Sequence, residues 1–240
     1  MLTGAQFQRK TRTVLARTFY FVRTGYIQTG ERVNPDFPDV NFENHLKVYR
    51  FLAQFAKGND ILDIGCGLGY GTDYLRPFAH SIVGIDISKR AIGFARHRYP
   101  ETQFLLMDAE ALRLSPESVN LVISSENFEH LANQEKSLRE IARVLAPGGM
   151  CFLATPNCEV SGGRNPYHTH EFTRSELAES LSRHFVDVEV WPSQLRTPDR
   201  ASLGKPPQDL KLFGEPVDQT YLSNTHSLFS FSRRPKEENK

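Results

Sequence analysis

From about residue 60 onward, short apolar runs alternate with amphipathic stretches along the chain. The apolar runs predict strands, and the stretches between them carry hydrophobic residues at helical spacing. The predicted strands are Asp60–Ile64, Ser81–Asp86, Gln103–Met107, Asn120–Ser124 and Met150–Ala154. The predicted helices are Gly71–Pro77, Ser88–Tyr99 and Gln134–Leu145. This β-α-β-α-β-β-α-β order is typical of an α/β fold with a mostly parallel central sheet and helices on both faces.

Helix boundary signals agree with this pattern. Ser88 is placed to cap the second helix, and Pro147-Gly148-Gly149 is placed to stop the third. Farther along, Thr173 and Glu176 have the spacing of a capping box, which predicts another helix start. The α/β pattern therefore continues beyond the fifth strand.

The last part of the chain contains two further predicted strands, Phe185–Trp191 and His226–Ser232. Between them lies a proline-rich insert, 192–224, which we interpret as a surface loop or lid. The predicted organisation is an N-terminal basic helical segment on the substrate side (1–58), a main domain (59–235) and a disordered tail (236–240).

The composition argues against a disulfide-rich, secreted or membrane-spanning protein. The chain has 240 residues, 39% hydrophobic and 24% charged, with a net charge of +1. Three cysteines without CxxC spacing favour a reducing compartment over a disulfide framework or a cysteine zinc site. Apolar stretches fall short of the ~18 residues that span a bilayer, and no signal peptide is visible. We therefore expect a cytoplasmic protein without a transmembrane segment.

The N-terminal segment is locally basic, because residues 1–30 contain Arg and Lys but no Asp or Glu. Three interpretations stay open: an organelle transit peptide, a helix that contacts an anionic substrate, and a solvated helix packed beside the core.

A glycine-rich turn follows the first strand, in Leu62-Asp63-Ile64-Gly65-Cys66-Gly67-Leu68-Gly69. Glycines allow a sharp turn and bring backbone amides against a ligand at the carboxyl edge of the sheet. A dinucleotide fingerprint would need a third glycine where Tyr70 stands, so a nicotinamide oxidoreductase is disfavoured.

Carboxylates stand near the ends of successive predicted strands. Asp86 can accept hydrogen bonds from both hydroxyls of a ribose, and Asp108 can accept one from an adenine amino group. Each acid alone reads as a turn residue or helix cap. Together with Asp63 beside a glycine turn, they predict a site for an adenosine-containing ligand.

Four segments resemble the ordered motif set of class I S-adenosylmethionine-dependent methyltransferases. They are 62–69, Gly84-Ile85-Asp86-Ile87-Ser88, Met107-Asp108-Ala109 and Arg143-Val144-Leu145-Ala146-Pro147-Gly148-Gly149. The resemblance covers about 60–190 and implies a Rossmann-like methyltransferase fold with an antiparallel last strand. It also implies S-adenosyl-L-methionine as cofactor, bound by Asp63, Gly65, Cys66, Gly67, Gly69, Asp86, Ile87, Asp108, Ala109 and Ser125.

A cluster of possible metal ligands follows the fourth strand. If a helical turn begins there, Glu126, Glu129 and His130 share one face of it. Two carboxylates and an imidazole suit Mg²⁺, Mn²⁺ or Zn²⁺, and the later His168 and His170 can supply a fourth ligand.

This Glu-x-x-Glu-His element resembles two metal-assisted branches, the ubiquinone-pathway catechol O-methyltransferases and the small-RNA terminal-ribose methyltransferases. By that resemblance His170 completes the metal site, because it precedes a Glu-Phe-Thr run. The Asn-Pro-Tyr-His segment departs from the RNA enzymes. It looks more like bacterial methyltransferases that act on glycans, lipids and other small molecules.

The predicted function is O-methylation of a hydroxyl on a sugar, a catechol-like molecule or a lipid-linked small molecule, with possible assistance from a divalent metal. The candidate catalytic residues are His130, His168 and Glu126, because an alcohol must lose a proton or bind a metal before it attacks. Adjacent hydroxyls could chelate one ion, which favours a vicinal diol. A metal-free histidine base, a purely structural cluster, an RNA ribose methyltransferase and a non-catalytic cofactor-binding protein remain alternatives. The sequence makes no prediction of oligomeric state.

Overall fold

The computed structural model describes residues 33–192, 211–212, 215–216 and 227–236. The basic segment 1–30, most of the 192–224 insert and residues 237–240 lie outside these ranges, so the predictions made for them stay predictions. Within the described residues, no helix has the length and apolar character that crossing a membrane requires.

The strands of the central sheet confirm the predicted architecture. Five parallel strands are joined by an antiparallel last strand, and β6 pairs with that strand at the edge. The sheet order is β3-β2-β1-β4-β5-β9-β6. The strands are β1 (Asp60–Ile64), β2 (Ser81–Asp86), β3 (Gln103–Leu106), β4 (Val119–Ser125), β5 (Leu145–Pro156), β6 (Val186–Pro192) and β9 (Ser227–Arg233). A separate two-residue pair, β7 (Lys211–Leu212) and β8 (Glu215–Pro216), lies in the insert.

The helices are α1 (Val40–Ala56), α2 (Tyr70–Leu75), α3 (Lys89–Arg98), α4 (Gln134–Val144), α5 (Cys158–Ser161) and α6 (Arg174–Ser182), with a 3₁₀ turn at Phe128–His130. Helices α2, α3, α4 and α6 lie where the sequence predicts them, with small differences at their ends. No prediction gave the bounds of α1 or α5. Ser88 caps α3, and the Thr173–Glu176 capping box at the start of α6 is present.

One predicted boundary is wrong. Strand β5 begins at Leu145, so the Pro147-Gly148-Gly149 segment lies inside the strand instead of in a turn after α4. The reason is pairing, because Leu145 lies opposite Val119 on β4 and the register shifts before Leu121 meets Met150. Such an irregularity lets a strand absorb residues that would otherwise form a turn.

Both faces of the sheet are buried, as expected for parallel strands. On one face, α1 packs against the sheet through Phe51 and Leu52, in a cluster that includes Ile61 and Phe231. On the other face, α4 and α6 pack against the sheet, in a cluster that includes Leu62, Val122 and Leu153. This packing fixes the carboxyl ends of β1, β2, β4 and β5 along one edge.

Candidate active site

A cavity of about 700 Å³ opens along the carboxyl edge of the sheet. Its walls come from the glycine turn after β1, from the ends of β2 and β4, from the segment after β3, from α1 and from the loop before α6. Ligands of open α/β folds bind at this edge. Most of the predicted cofactor residues and predicted acceptor residues therefore line one cavity, whereas Asp63, Gly69 and His170 are absent from its wall.

The glycine turn lines the cavity through residues 65–68. Gly65 and Gly67 have φ angles of +72° and +55°, which L side chains rarely adopt. A Cβ at Gly67 would meet nothing within 4 Å, whereas one at Gly65 would lie 2.2 Å from Cγ of Asn127. Gly69 caps α2 and packs against Phe104, so its role is to fit helix against strand.

Asp86 is anchored to the glycine turn. Its carboxylate accepts hydrogen bonds from the amides of Gly67, at 3.1 Å, and Ser88, at 2.7 Å. These bonds fix the turn and the end of β2 relative to each other. A ribose held at this point would face a carboxylate whose position is set before the ligand arrives.

An apolar slot lies beside Asp86. Ile87 is 72% exposed although it is a large hydrophobic residue, and it lines the cavity with Met107, Ala109 and Leu131. Asp108 lies at the rim, where its carboxylate accepts from the amide of Glu110. The slot is suited to a flat aromatic base, with polar recognition at its edge.

Asp63 lies behind the glycine turn, and it is absent from the cavity wall. Its fully buried carboxylate accepts hydrogen bonds from Tyr49 and, at 2.6 Å, from Thr72. Burial raises the pKa of Asp63 to about 7, although these hydrogen bonds act in the opposite direction. Because Asp63 is buried behind the turn, we expect it to stabilise the turn and not to contact a ligand directly.

Ser125 and Cys66 also line the cavity. Ser125 is buried, and its hydroxyl has no hydrogen-bond partner among the described residues. Burial raises the pKa of the Cys66 thiol, so the thiol stays protonated and acts as an apolar wall. An orphaned buried hydroxyl beside an open glycine turn fits a polar ligand such as the methionine part of the cofactor.

The acceptor side is built around the 3₁₀ turn after β4. Glu129, His130 and His168 bring one ligand atom each within 4.8 Å of one another. Glu129 is buried, and its carboxylate accepts from the hydroxyl of Thr155 at 3.0 Å. The rings of His130 and His168 meet edge to face, 4.9 Å between centroids.

Both imidazoles are held through Nδ1. His130 Nδ1 donates to the carbonyl of Tyr167 at 3.0 Å, and His168 Nδ1 lies 2.5 Å from the buried carboxylate of Glu171. A carbonyl can only accept, so Nδ1 of His130 carries a proton, and in the neutral imidazole the lone pair lies on Nε2. Nε2 of His168 accepts from the Asn165 amide. Carboxylate and carbonyl partners of this kind orient metal-binding histidines.

The ligand set that the structure gathers differs from the sequence prediction at two positions. Glu126 has a φ of +50°, lies before the 3₁₀ turn, and accepts a hydrogen bond from Ser227 on β9. The expected shared helical face is therefore not formed. The ring of His170 packs against Phe172, and among the described residues His168 takes the predicted place of His170 in the cluster.

Three cavity residues on α1 have no counterpart among the predicted site residues. Asn41, His45 and Tyr49 line the cavity. Their spacing of four residues places them on one face of a helix, and this was the available signal. Tyr70, at the start of α2, has no predicted site role, and its hydroxyl lies 3.0 Å from Nδ1 of His45. Tyr167, 64% exposed at the cavity rim, was also missed.

The fold and this site match those of class I S-adenosylmethionine-dependent methyltransferases. A family model described as a methyltransferase domain matches residues 62–153. The chain is 37% identical over 168 residues to a protein of Mycolicibacterium smegmatis named as a probable S-adenosylmethionine-dependent methyltransferase. That alignment covers 67% of this chain and 65% of the relative, which is less than two thirds of its length.

Two further comparisons agree. The ubiquinone biosynthesis O-methyltransferase of Agrobacterium fabrum is 29% identical over 162 residues, covering 61% of this chain and 63% of that protein. The N-methyltransferase NodS of Bradyrhizobium japonicum, solved with S-adenosyl-L-homocysteine, has a TM-score of 0.58 at 19% identity. Its alignment covers 84% of this chain and 90% of NodS, and it supports the fold.

Proposed function

We propose that this protein transfers a methyl group from S-adenosyl-L-methionine to a hydroxyl of a small molecule that carries a vicinal diol. The observation that carries the proposal is the cluster of Glu129, His130 and His168, which opens into the same cavity as the glycine turn. The O-methyltransferase among its relatives supports the reaction type. Sugars, catechol-like molecules and lipid-linked glycans all carry such diols.

The cofactor would supply a methyl already activated by its sulfonium, so most of the protein's contribution is positioning. Gly65, Gly67 and Ser125 would bind the methionine part. Asp86 would accept from the ribose hydroxyls, and Ile87 would cover the adenine. Each of these roles matches the environment described above.

The donor set of Glu129, His130 and His168 fits a divalent metal if Nε2 of His168 exchanges its hydrogen bond from Asn165 for the metal. One carboxylate with two imidazoles suits Zn²⁺ or Mn²⁺ better than the all-oxygen sites that Mg²⁺ prefers. The metal would lower the pKa of a bound hydroxyl. Without a metal, His130 Nε2 is the best-placed base, because its Nδ1 proton is held by Tyr167. In both cases Glu129 and His130 face the acceptor oxygen.

The sparse cysteine usage supports a reducing, cytoplasmic compartment for this reaction. All three cysteines are free, and Cys66 and Cys151 are buried. Thiols that stay reduced are the norm in the cytosol.

The test is a methyl-transfer screen over catechols, soluble sugars, lipid-linked glycans and RNA ends, with and without a chelator. We expect a diol acceptor whose methylation is lost on chelation and restored by Zn²⁺ or Mn²⁺. His168→Ala should then reduce the rate at least about tenfold, because a ligand or base is removed. His170→Ala is the matched control and should change it by less than about twofold.

Full activity in excess chelator would favour the histidine base over the metal. Equal losses in His168→Ala and His170→Ala would contradict the assignment of His168. If only RNA ends were methylated in the screen, the small-molecule acceptor would be wrong and the protein would be an RNA methyltransferase.

A further inference from the structure

A second polar cluster faces the cavity from the side of α1. It consists of His45 on α1, Tyr70 at the start of α2 and Glu126 after β4, and we call it the α1 cluster. All three residues line the cavity. Nδ1 of His45 lies 3.0 Å from the hydroxyl of Tyr70, and the electrostatic influence of Glu126 reaches both residues. None of the three belongs to the metal-type cluster of Glu129, His130 and His168.

The backbone at Glu126 holds its carboxylate in this place. A glutamate at φ +50° is uncommon, because a left-handed conformation is unfavourable for a non-glycine residue. The Glu126 amide donates to the carbonyl of Ala154 at 2.8 Å, and the carboxylate accepts from Ser227. Contacts with β5 and β9 therefore maintain a conformation that the local sequence would not choose. Strain of this kind concentrates at functional sites.

The α1 cluster offers both donors and acceptors. Burial lowers the pKa of His45, while the charges of Glu126 and Asp39 partly oppose that shift, so a neutral imidazole is favoured. Burial raises the pKa of Tyr70, which keeps its hydroxyl protonated. A neutral imidazole, a phenol and a carboxylate together match hydroxyl groups, each of which donates one hydrogen bond and accepts others.

We propose that the α1 cluster is a second acceptor subsite that binds the further hydroxyls of a saccharide. This inference rests on the proposed function, in which the reacting diol lies at Glu129, His130 and His168. A catechol has no third hydroxyl. Its apolar ring edge would offer the α1 cluster no hydrogen bonds, so these side chains would keep only their bonds within the described residues, of His45 with Tyr70 and of Glu126 with Ser227. A site built to bind hydroxyls discriminates strongly against a ligand that lacks them.

The test measures binding instead of turnover. Isothermal titration of the full chain, saturated with S-adenosyl-L-homocysteine, compares maltotriose with 3,4-dihydroxybenzoate. We expect His45→Ala to weaken maltotriose binding about tenfold and Tyr70→Phe to weaken it several-fold, as expected for lost hydrogen bonds. Binding of dihydroxybenzoate and of S-adenosyl-L-homocysteine should change less than about twofold.

Two further variants complete the design. His45→Gln keeps a hydrogen-bonding group and should recover part of the maltotriose affinity. His97→Ala removes an exposed histidine of α3 that does not line the cavity, and it should behave as the wild type. Thermal melting of each variant separates a folding defect from a binding defect, and His45→Gln keeps the test decisive if His45→Ala does not fold.

The outcomes separate the subsite from the proposed reaction. Wild-type protein that binds dihydroxybenzoate but not maltotriose would overturn the subsite. If His45→Ala weakened the binding of S-adenosyl-L-homocysteine as much as that of maltotriose, the subsite would also be overturned. Such a result would assign His45 to the cofactor site. Maltotriose binding that depends on His45 without transfer of a methyl group to any acceptor would contradict the proposed function and leave the subsite in place.

Discussion

The two halves of the cavity are built in different ways. On the cofactor side, the glycine turn and the end of β2 hold each other through backbone amides that donate to Asp86. On the acceptor side, side chains from distant parts of the chain meet. Tyr167 holds His130 across 37 residues, and Ser227 holds Glu126 across 101 residues. The cofactor half therefore depends on local sequence, and the acceptor half depends on how the strands are ordered.

The comparison makes the acceptor half the more sensitive to single side chains. Glu129→Gln should reduce metal-dependent methyl transfer by about 100-fold or more, because a buried carboxylate ligand is lost. Glu126→Gln is the matched variant, three residues away but outside the cluster, and it should leave metal affinity within about twofold. Metal titration followed by activity assays checks both. A larger loss of metal affinity in Glu126→Gln would restore the ligand set predicted from the sequence.

On the cofactor half, Asp86→Ala should weaken S-adenosyl-L-homocysteine binding by about 10- to 100-fold. The substitution removes a charge-assisted hydrogen bond to the ribose and releases the amide of Gly67. Asp60→Ala is the matched control, since Asp60 begins β1 at the opposite edge of the sheet. Calorimetry measures both affinities, and an unchanged value for Asp86→Ala would remove Asp86 from the cofactor site.

The smallest effect on ligand affinity is expected for Asp63, which supports the turn without lining the cavity. The titration of Asp63 should instead change how the free energy of unfolding depends on pH. The pKa of Asp63 is raised from 3.8 to about 7, so the native state binds this proton more tightly than the unfolded state. Stability of the wild type should therefore fall relative to Asp63→Asn as pH rises through that window, by at most about 4 kcal/mol.

Urea denaturation of both proteins between pH 4 and pH 8 measures this difference. The comparison with Asp63→Asn isolates the titration of one carboxyl, because other groups titrate alike in both proteins. A difference in stability that is constant with pH would show that Asp63 is ionised throughout, and its support of the turn would then be electrostatic.

The elements on the cofactor side could be predicted closely. Strands β1 and β2 have the predicted bounds, and Ser88 caps α3 as expected. These features depend on apolar runs and on capping residues a few positions away, so local sequence carries the signal. The fold class and the family followed from the same segments.

The acceptor side could be predicted only in part. Glu129 and His130 were found because they are adjacent in the chain, and His168 was recognised as a candidate. Its preference over His170 depends on Glu171, which holds one ring while Phe172 packs against the other. His45 was missed because its spacing from Asn41 and Tyr49 indicates a shared helix face but not which element that face meets.

The amino-acid sequence by itself determined the alternation of strands and helices, the glycine turn and the acids at the strand ends. Short-range sterics and hydrogen bonding are sufficient for these features. Tertiary structure alone decided which imidazoles gather with Glu129 at the cavity and where the carboxylate of Glu126 points. Those positions follow from contacts between β4, β5, β9 and α1, whose residues meet only after the sheet has formed.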